Sequence, residues 1–184
     1  MGKFVEIDEK LQTFIGEQQM FFVATAAPDG RVSLSPKGRD SLRVLDPRRI
    51  VWLNLTGSEN ETAAHLLESP RISLMWCSFT ERPLILRVYG NAHAVHPRDG
   101  AWDELSALFP PTPGARQIFD VDVELVMTSC GFAVPRFDYI GQRDTLLEWA
   151  EARGEEGVRQ YWEKRNQTSI DGRPTGILAN SAPA

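Results

Sequence analysis

The sequence predicts a mainly β (α+β) chain, a closed antiparallel β-barrel with peripheral helices. Three observations predict it. Short apolar or alternating segments recur with turn residues between them. Helical periodicity is confined to the two ends and to short inserts. Strands and helices do not alternate and no GxGxxG occurs, which excludes a doubly wound dinucleotide fold. Taken in order, Ile7, Leu11, Phe14 and Ile15 form the apolar stripe of a first helix that Gly16 ends. Met20–Ala26 is a continuous run of strand formers. Pro28-Asp29-Gly30 turns the chain, because proline presets φ and glycine accepts positive φ. Val32 and Leu34 then alternate with Arg31, Ser33 and Ser35, completing a hairpin. Leu42–Val44 and Ile50–Leu55 are strands on either side of a turn at Asp46-Pro47. Ala63, Ala64, Leu66 and Leu67 mark a short helix that stops near Ser69-Pro70. Arg71–Ser78 and Leu84–Val95 return to strand, the second around Gly90. Asp99–Leu108 reads as helix, and Pro110, Pro111 and Pro113 enforce a loop after it. Ile118–Met127 alternates imperfectly, which leaves room for a β-bulge. Thr145–Lys164 is helical in two pieces parted by Gly154 and Gly157.

This order divides the 184 residues into a barrel domain over 1–140, a helical extension packed on it over 141–168, and a loosely ordered tail over 169–184, rich in Ser, Pro, Gly and Ala. Hydrophobic residues at 42% suffice for a core. Twenty Lys and Arg against 25 Asp and Glu give a net charge of −5, which argues against a nucleic-acid partner. Cys77 and Cys130 form no CxxC, and His65, His93 and His96 make no zinc-type spacing with them. No metal site is expected, and both cysteines are expected to be buried. The N-terminus has no apolar h-region and no run approaches membrane-spanning length. A cytoplasmic location without membrane partners is expected. Arg87, in an otherwise apolar strand, is expected to point outward into solvent.

Chemistry concentrates in Thr56-Gly57-Ser58-Glu59-Asn60-Glu61-Thr62, directly after a strand. Ser58 and Glu61 have capping-box spacing, which predicts a helix N-terminus with free amides directed out of the loop. Thr56, Ser58, Asn60 and Thr62 add short hydrogen-bonding side chains, a set suited to a phosphate. The plainer reading is a capped helix whose polar groups satisfy one another. Ser33-Leu34-Ser35-Pro36-Lys37-Gly38 is a second strand end, where Lys37 would bring a full charge to the same anion or sit on the surface. Met75-Trp76-Cys77-Ser78-Phe79 offers flat apolar surface that packs a core or a ring system. No triad, nucleophile elbow or acid–base pair is evident, so no residue is singled out as catalytic.

The stretch Phe21–Val95 resembles the pyridoxamine 5′-phosphate oxidase-like, FMN-binding split-barrel family. The resemblance is carried by Phe22-Val23-Ala24-Thr25, Gly30–Gly38, Trp52–Ser58, and His65-Leu66 leading to Pro70-Arg71-Ile72-Ser73-Leu74-Met75. Ser129–Pro135 and Ser169-Ile170-Asp171-Gly172 are similar to a bacterial subgroup. The resemblance implies a split antiparallel barrel, a homodimer with FMN at the subunit interface, and a flavin-dependent oxidoreductase acting on a small molecule; a nicotinamide is one candidate donor, and the donor stays open between NADH, NADPH and another reductant. It implies cofactor contacts from Leu34, Ser35, Lys37, Thr56, Gly57, Ser58, Asn60, Glu61 and Thr62, with the phosphate near Lys37 and the ring along the strand at Leu34 and Ser35. Ser129–Pro135 would approach the flavin of the partner subunit. The family's Arg-Lys phosphate pair falls here near Glu61 and Thr62. That departure either weakens phosphate binding or moves it to Lys37 and backbone amides. The oxidases' C-terminal Trp and Arg motif is absent, so vitamin B6 oxidation itself is not expected. A non-catalytic flavin carrier or redox sensor, a deazaflavin or haem protein, and a cofactor-free interaction module remain the alternatives.

Overall fold

The computed structural model describes residues 2–179. They form β1 (Gly2–Phe4), α1 (Glu9–Glu17), β2 (Met20–Ala26), β3 (Val32–Gly38), β4 (Leu42–Asp46), β5 (Arg49–Leu55), α2 (Glu61–Leu66), β6 (Arg71–Cys77), β7 (Ile85–Val95), α3 (Trp102–Ser106), β8 (Ala115–Ser129) and α4 (Thr145–Arg165). No helix among the described residues is long and apolar enough to cross a membrane.

The strands make one antiparallel sheet in the order β3-β2-β6-β7-β8-β5-β4, with β1 also paired to β8. The closed barrel expected from the strand pattern is therefore corrected to an open, split one, as the family resemblance implied. The 15-residue β8 pairs β7 along one side, while its other side is shared by β5 at one end and β1 at the other. The edges β3 and β4 are joined through a corner at Arg39, whose φ of 64° lies in the left-handed region. Pro36, which lacks an N–H, suits β3 to an edge position.

Side chains close what the hydrogen bonds leave open. Phe21 of β2 meets Trp52 of β5 edge to face at 5.9 Å and stacks on Trp76 of β6 at 5.8 Å. Trp52 also packs on Phe119 of β8 at 4.8 Å. β2 and β5 are distant in ladder order, so the Phe21–Trp52 contact shows the sheet curling around one aromatic-centred core. Leu11 and Ile15 of α1, with Ile7 just before it, plug this core, and the Asp8 carboxylate accepts the Leu11 amide at 2.8 Å as an N-cap.

β8 carries two bulges. Tyr89 faces Leu125 while Gly90 faces Val123, which leaves Glu124 as an extra residue within the stretch where the alternation falters. Asn54 faces Gln117 while Leu55 faces Ala115, which makes Arg116 the second extra residue. Gly90 is required at its bulge, since an added Cβ would stand 1.9 Å from the Asp122 carbonyl oxygen.

α4 breaks at Gly154 (φ 63°, ψ 175°), a conformation reserved for glycine. Trp149 and Tyr161 touch edge to face at 5.0 Å. In a continuous helix twelve residues would set them roughly 18 Å apart along the axis, so the chain folds back at Gly154. The beginning of the expected loose tail is instead packed. Thr175 and Ile177 are buried, and Arg98 donates to the Gly176 and Ile177 carbonyls at 2.6 and 2.9 Å. Arg173 pairs with Glu68 at 2.5 Å and with Asp29, and Asp171 pairs with Arg31. Composition suggested disorder, but long-range arginine ion pairs and the Arg98 bonds to two of its carbonyls pin this segment. The remainder of that tail, 180–184, lies outside the described residues.

Cys77 is buried as expected, whereas Cys130, just past the end of β8, is exposed. Arg87 is half-buried rather than solvated and donates to the Ser129 hydroxyl at 3.1 Å. Replacing Gly90 by alanine is expected to lower stability by about 3 kcal/mol, because a backbone carbonyl must yield. Urea denaturation checks it, and a midpoint equal to the parent's would show that the bulge tolerates a side chain.

Candidate functional site

A cleft of about 160 Å³ opens where β5 runs into α2, bounded by β3 on one side and the second β8 bulge on the other. The structure brings seven of the sequence-predicted residues to it: Ser35, Lys37, Gly57, Ser58, Asn60, Glu61 and Thr62. Leu34 is not among the lining residues and is 65% exposed. Strand alternation sends its side chain to the face opposite Ser35 and Lys37. Thr56 is buried behind the loop, donating to the Gly114 carbonyl and accepting from Trp162 Nε1, both at 2.8 Å.

The capping box does not form. Asn60, not Ser58, is the N-cap of α2, and no side chain caps the helix. The Asn60 amide exchanges two bonds with Gln117, at 2.7 and 3.4 Å. Glu61 accepts instead from the Ile170 amide at 2.8 Å, which ties the C-terminal segment to α2. Its other oxygen is 4.0 Å from Nε2 of His65, a fully buried ring whose Nδ1 pairs with the Thr25 hydroxyl at 3.0 Å. The sequence pattern found the loop in which the helix begins, but set its N-cap two residues early and named the wrong partners for its polar groups.

Arg116 is the residue that sequence reading missed. Alternation along β8 gives no reason to turn it inward, and it lies far downstream of the loop. The bulge opposite Leu55 supplies that reason, since an extra residue re-aims the side chains around it. Arg116 is 3% exposed. Its Nη1 donates to the Glu59 carbonyl at 3.0 Å and to Asn166 Oδ1 at 2.8 Å, while its buried Nε has no partner. Asn166, fully buried after α4, also donates from Nδ2 to the Gly57 carbonyl at 3.1 Å and the Ser58 carbonyl at 3.4 Å. One amide thus fixes both the cation and the loop.

Lys37 reaches into the same cleft with Nζ 5.1 Å above the Trp52 ring. Burial, reinforced by the neighbouring Arg116 charge, lowers its pKa to about 8. Burial also presses the Arg116 guanidinium down, to about 9, so both groups stay cationic at neutral pH. Arg116 hydrogen-bonds only to neutral oxygens, and neither cation forms an ion pair among the described residues. The arrangement holds two like charges in a partly dry cleft beside hydroxyls and an uncapped helix start, with Glu59 and Glu61 also in the lining and the Glu61 carboxylate taken up by the Ile170 amide. Such a site can bind a compact anion. It contains no metal-ligating cluster among the described residues.

Residues 7–130 match the family model for pyridoxamine 5′-phosphate oxidase. A curated relative, the pyridoxamine 5′-phosphate oxidase family protein ustO of Aspergillus flavus, is 30% identical over 192 aligned residues, covering 93% of this chain and 76% of the relative. Among solved structures, a pyridoxamine 5′-phosphate oxidase-like protein of Lactobacillus delbrueckii aligns with a TM-score of 0.55 at 23% identity, over 69% of this chain and 99% of that one. HupZ of Group A Streptococcus aligns at 0.54 and 20% identity, over 67% and 94%. Both share the fold described above. The chain belongs to the pyridoxamine 5′-phosphate oxidase family.

Proposed function

We propose that the protein binds FMN and works in the cytoplasm as a homodimeric, flavin-dependent oxidoreductase on a small molecule, with a reduced nicotinamide as donor. The observation that carries the reading is the pair Lys37 and Arg116, two cations in one cleft without a carboxylate partner among the described residues. A phosphate dianion relieves both their mutual repulsion and their desolvation, and the unpartnered Arg116 Nε is a ready donor to it. The residues present therefore fit the phosphate end of FMN. They replace the Arg-Lys pair that Glu61 and Thr62 lack.

The cleft is smaller than the roughly 300 Å³ at which whole-ligand sites begin, so the ring would extend beyond it, past Ser35 and Ser33 of β3. Val32 and Leu34 on the other face of β3, and Phe132, Phe137 and Ile140 in the loop after β8, are all exposed. Apolar surface of this kind supports a second copy completing the site. A bound flavin supplies the redox chemistry, while the protein holds its phosphate, orients its ring and shapes access. Absence of an acid–base pair is compatible with that division of labour.

The visible spectrum of the purified protein, followed by mass identification of any released chromophore, separates FMN from deazaflavin and haem. Steady consumption of NADH or NADPH with an acceptor marks an enzyme, whereas a single reduction marks a carrier or sensor. Lys37→Glu is expected to weaken FMN binding by roughly tenfold or more, and Arg116→Met comparably, measured by quenching of flavin fluorescence. Unchanged affinity in both variants would remove the cleft from the cofactor site. FMN affinity is also expected to depend on pH. With the Lys37 pKa at about 8, the free protein holds the proton below that value and releases it above. The bound phosphate favours the protonated lysine, so affinity is highest between the phosphate's own second pKa, about 6, and the Lys37 pKa, and falls as pH rises through the latter. A parent profile as flat as that of Lys37→Met would contradict the contact.

A further inference from the structure

A second pocket, of about 380 Å³, lies across the Gly57–Ser58 loop from the anion cleft. Its volume falls in the range of small-molecule sites, which begins at about 300 Å³. The loop forms one wall with Thr56, Gly57 and Ser58, and α4 forms the other with Leu146, Trp149 and Tyr161. The fold-back at Gly154 is what sets the two aromatic rings side by side. Arg153 lies 4.7 Å over Trp149 and 5.9 Å over Tyr161, bracing the pair, and is itself outside the pocket lining. The Trp162 indole, bonded to the Thr56 hydroxyl, ties α4 to the loop from behind. The walls are thus fixed on both sides.

One charged residue stands in this otherwise largely apolar lining. Arg143 is engaged through its backbone carbonyl, which accepts from Arg39, and its guanidinium forms no ion pair among the described residues. Neighbouring Asp144 pairs with Arg39 instead. Flat rings with a free cation beside them complement a flat ring with a negative charge.

We infer that the Trp149–Tyr161 pocket is a second small-molecule site, which takes a planar aromatic ring bearing an anionic group anchored by Arg143. It does not depend on the flavin reading, because it uses neither Lys37 nor Arg116. Two sources carry this chemistry, an adenine nucleotide and an aromatic carboxylate, and AMP and benzoate are the probes that separate them.

The test is titration of the full chain with each probe, followed by tryptophan fluorescence and calorimetry. Saturable one-to-one binding of at least one probe is expected. Trp149→Ala and Arg143→Ala should each weaken it by about fivefold or more, which is the scale of losing one stacked or ionic contact. Lys37→Glu should leave it unchanged. Arg143 is exposed, so Arg143→Ala keeps the test decisive even if Trp149→Ala fails to fold. AMP binding alone identifies a nucleotide site, and benzoate binding identifies a carboxylate site. Failure of both probes to bind, binding insensitive to Arg143→Ala, or binding abolished by Lys37→Glu would overturn the inference.

Discussion

Lys37 and Arg116 share one cleft, which Glu59 and Glu61 also line, yet neither cation forms an ion pair among the described residues, and that is the constraint around which the cleft is arranged. Charges avoid burial unless something compensates them, and a pair of like charges compounds the penalty. Lys37 and Arg116 are nevertheless held together by several independent elements. β3 delivers Lys37 beside Trp52, a β8 bulge turns Arg116 inward, and Asn166 locks the guanidinium in place. Structure maintained against an electrostatic cost is most simply explained by the ligand that removes the cost.

The C-terminal region serves this arrangement. The match to the family model ends at residue 130, yet several of the contacts that fix the Thr56–Asn60 loop come from beyond it, adding to those from Gly114, Arg116 and Gln117. Trp162 holds Thr56, Asn166 holds Gly57, Ser58 and Arg116, and the Ile170 amide holds Glu61. Thr175 in turn donates to the Asn166 carbonyl at 2.6 Å, and Arg98 holds the Gly176 and Ile177 carbonyls. The anion cleft is therefore built by the barrel and rigidified by the segment that follows. The same segment creates the aromatic pocket on the loop's other side.

Much of this was legible in the sequence, for physical reasons that particular residues make plain. Met20–Ala26 was read to its exact limits because a buried run of strand formers has few alternatives. The Gly154 break was legible because glycine is costly inside a helix. Barrel closure was not, since alternation reports which face is buried and is silent about edge pairing. The three-residue β1 was too short to carry a pattern. The order of residues 169–179 depends on Arg31, Arg98 and Arg173, whose partners lie far away in sequence. In the cleft, short-range signals found the loop and Lys37. Arg116 escaped because a bulge breaks the periodicity on which such reading relies, and Ser58–Glu61 misled because Gln117 and Ile170 outcompeted a local cap.

The central claim, that the Lys37–Arg116 pair exists to grip a phosphate, is tested most directly by comparing FMN with riboflavin, which lacks that group. Both are titrated into the same apoprotein at pH 7, and their dissociation constants are compared. Two charge-assisted contacts predict that riboflavin binds roughly 100-fold more weakly, with the gap collapsing in Arg116→Met. Equal affinities for the two flavins would contradict the account and leave the paired cations without a ligand.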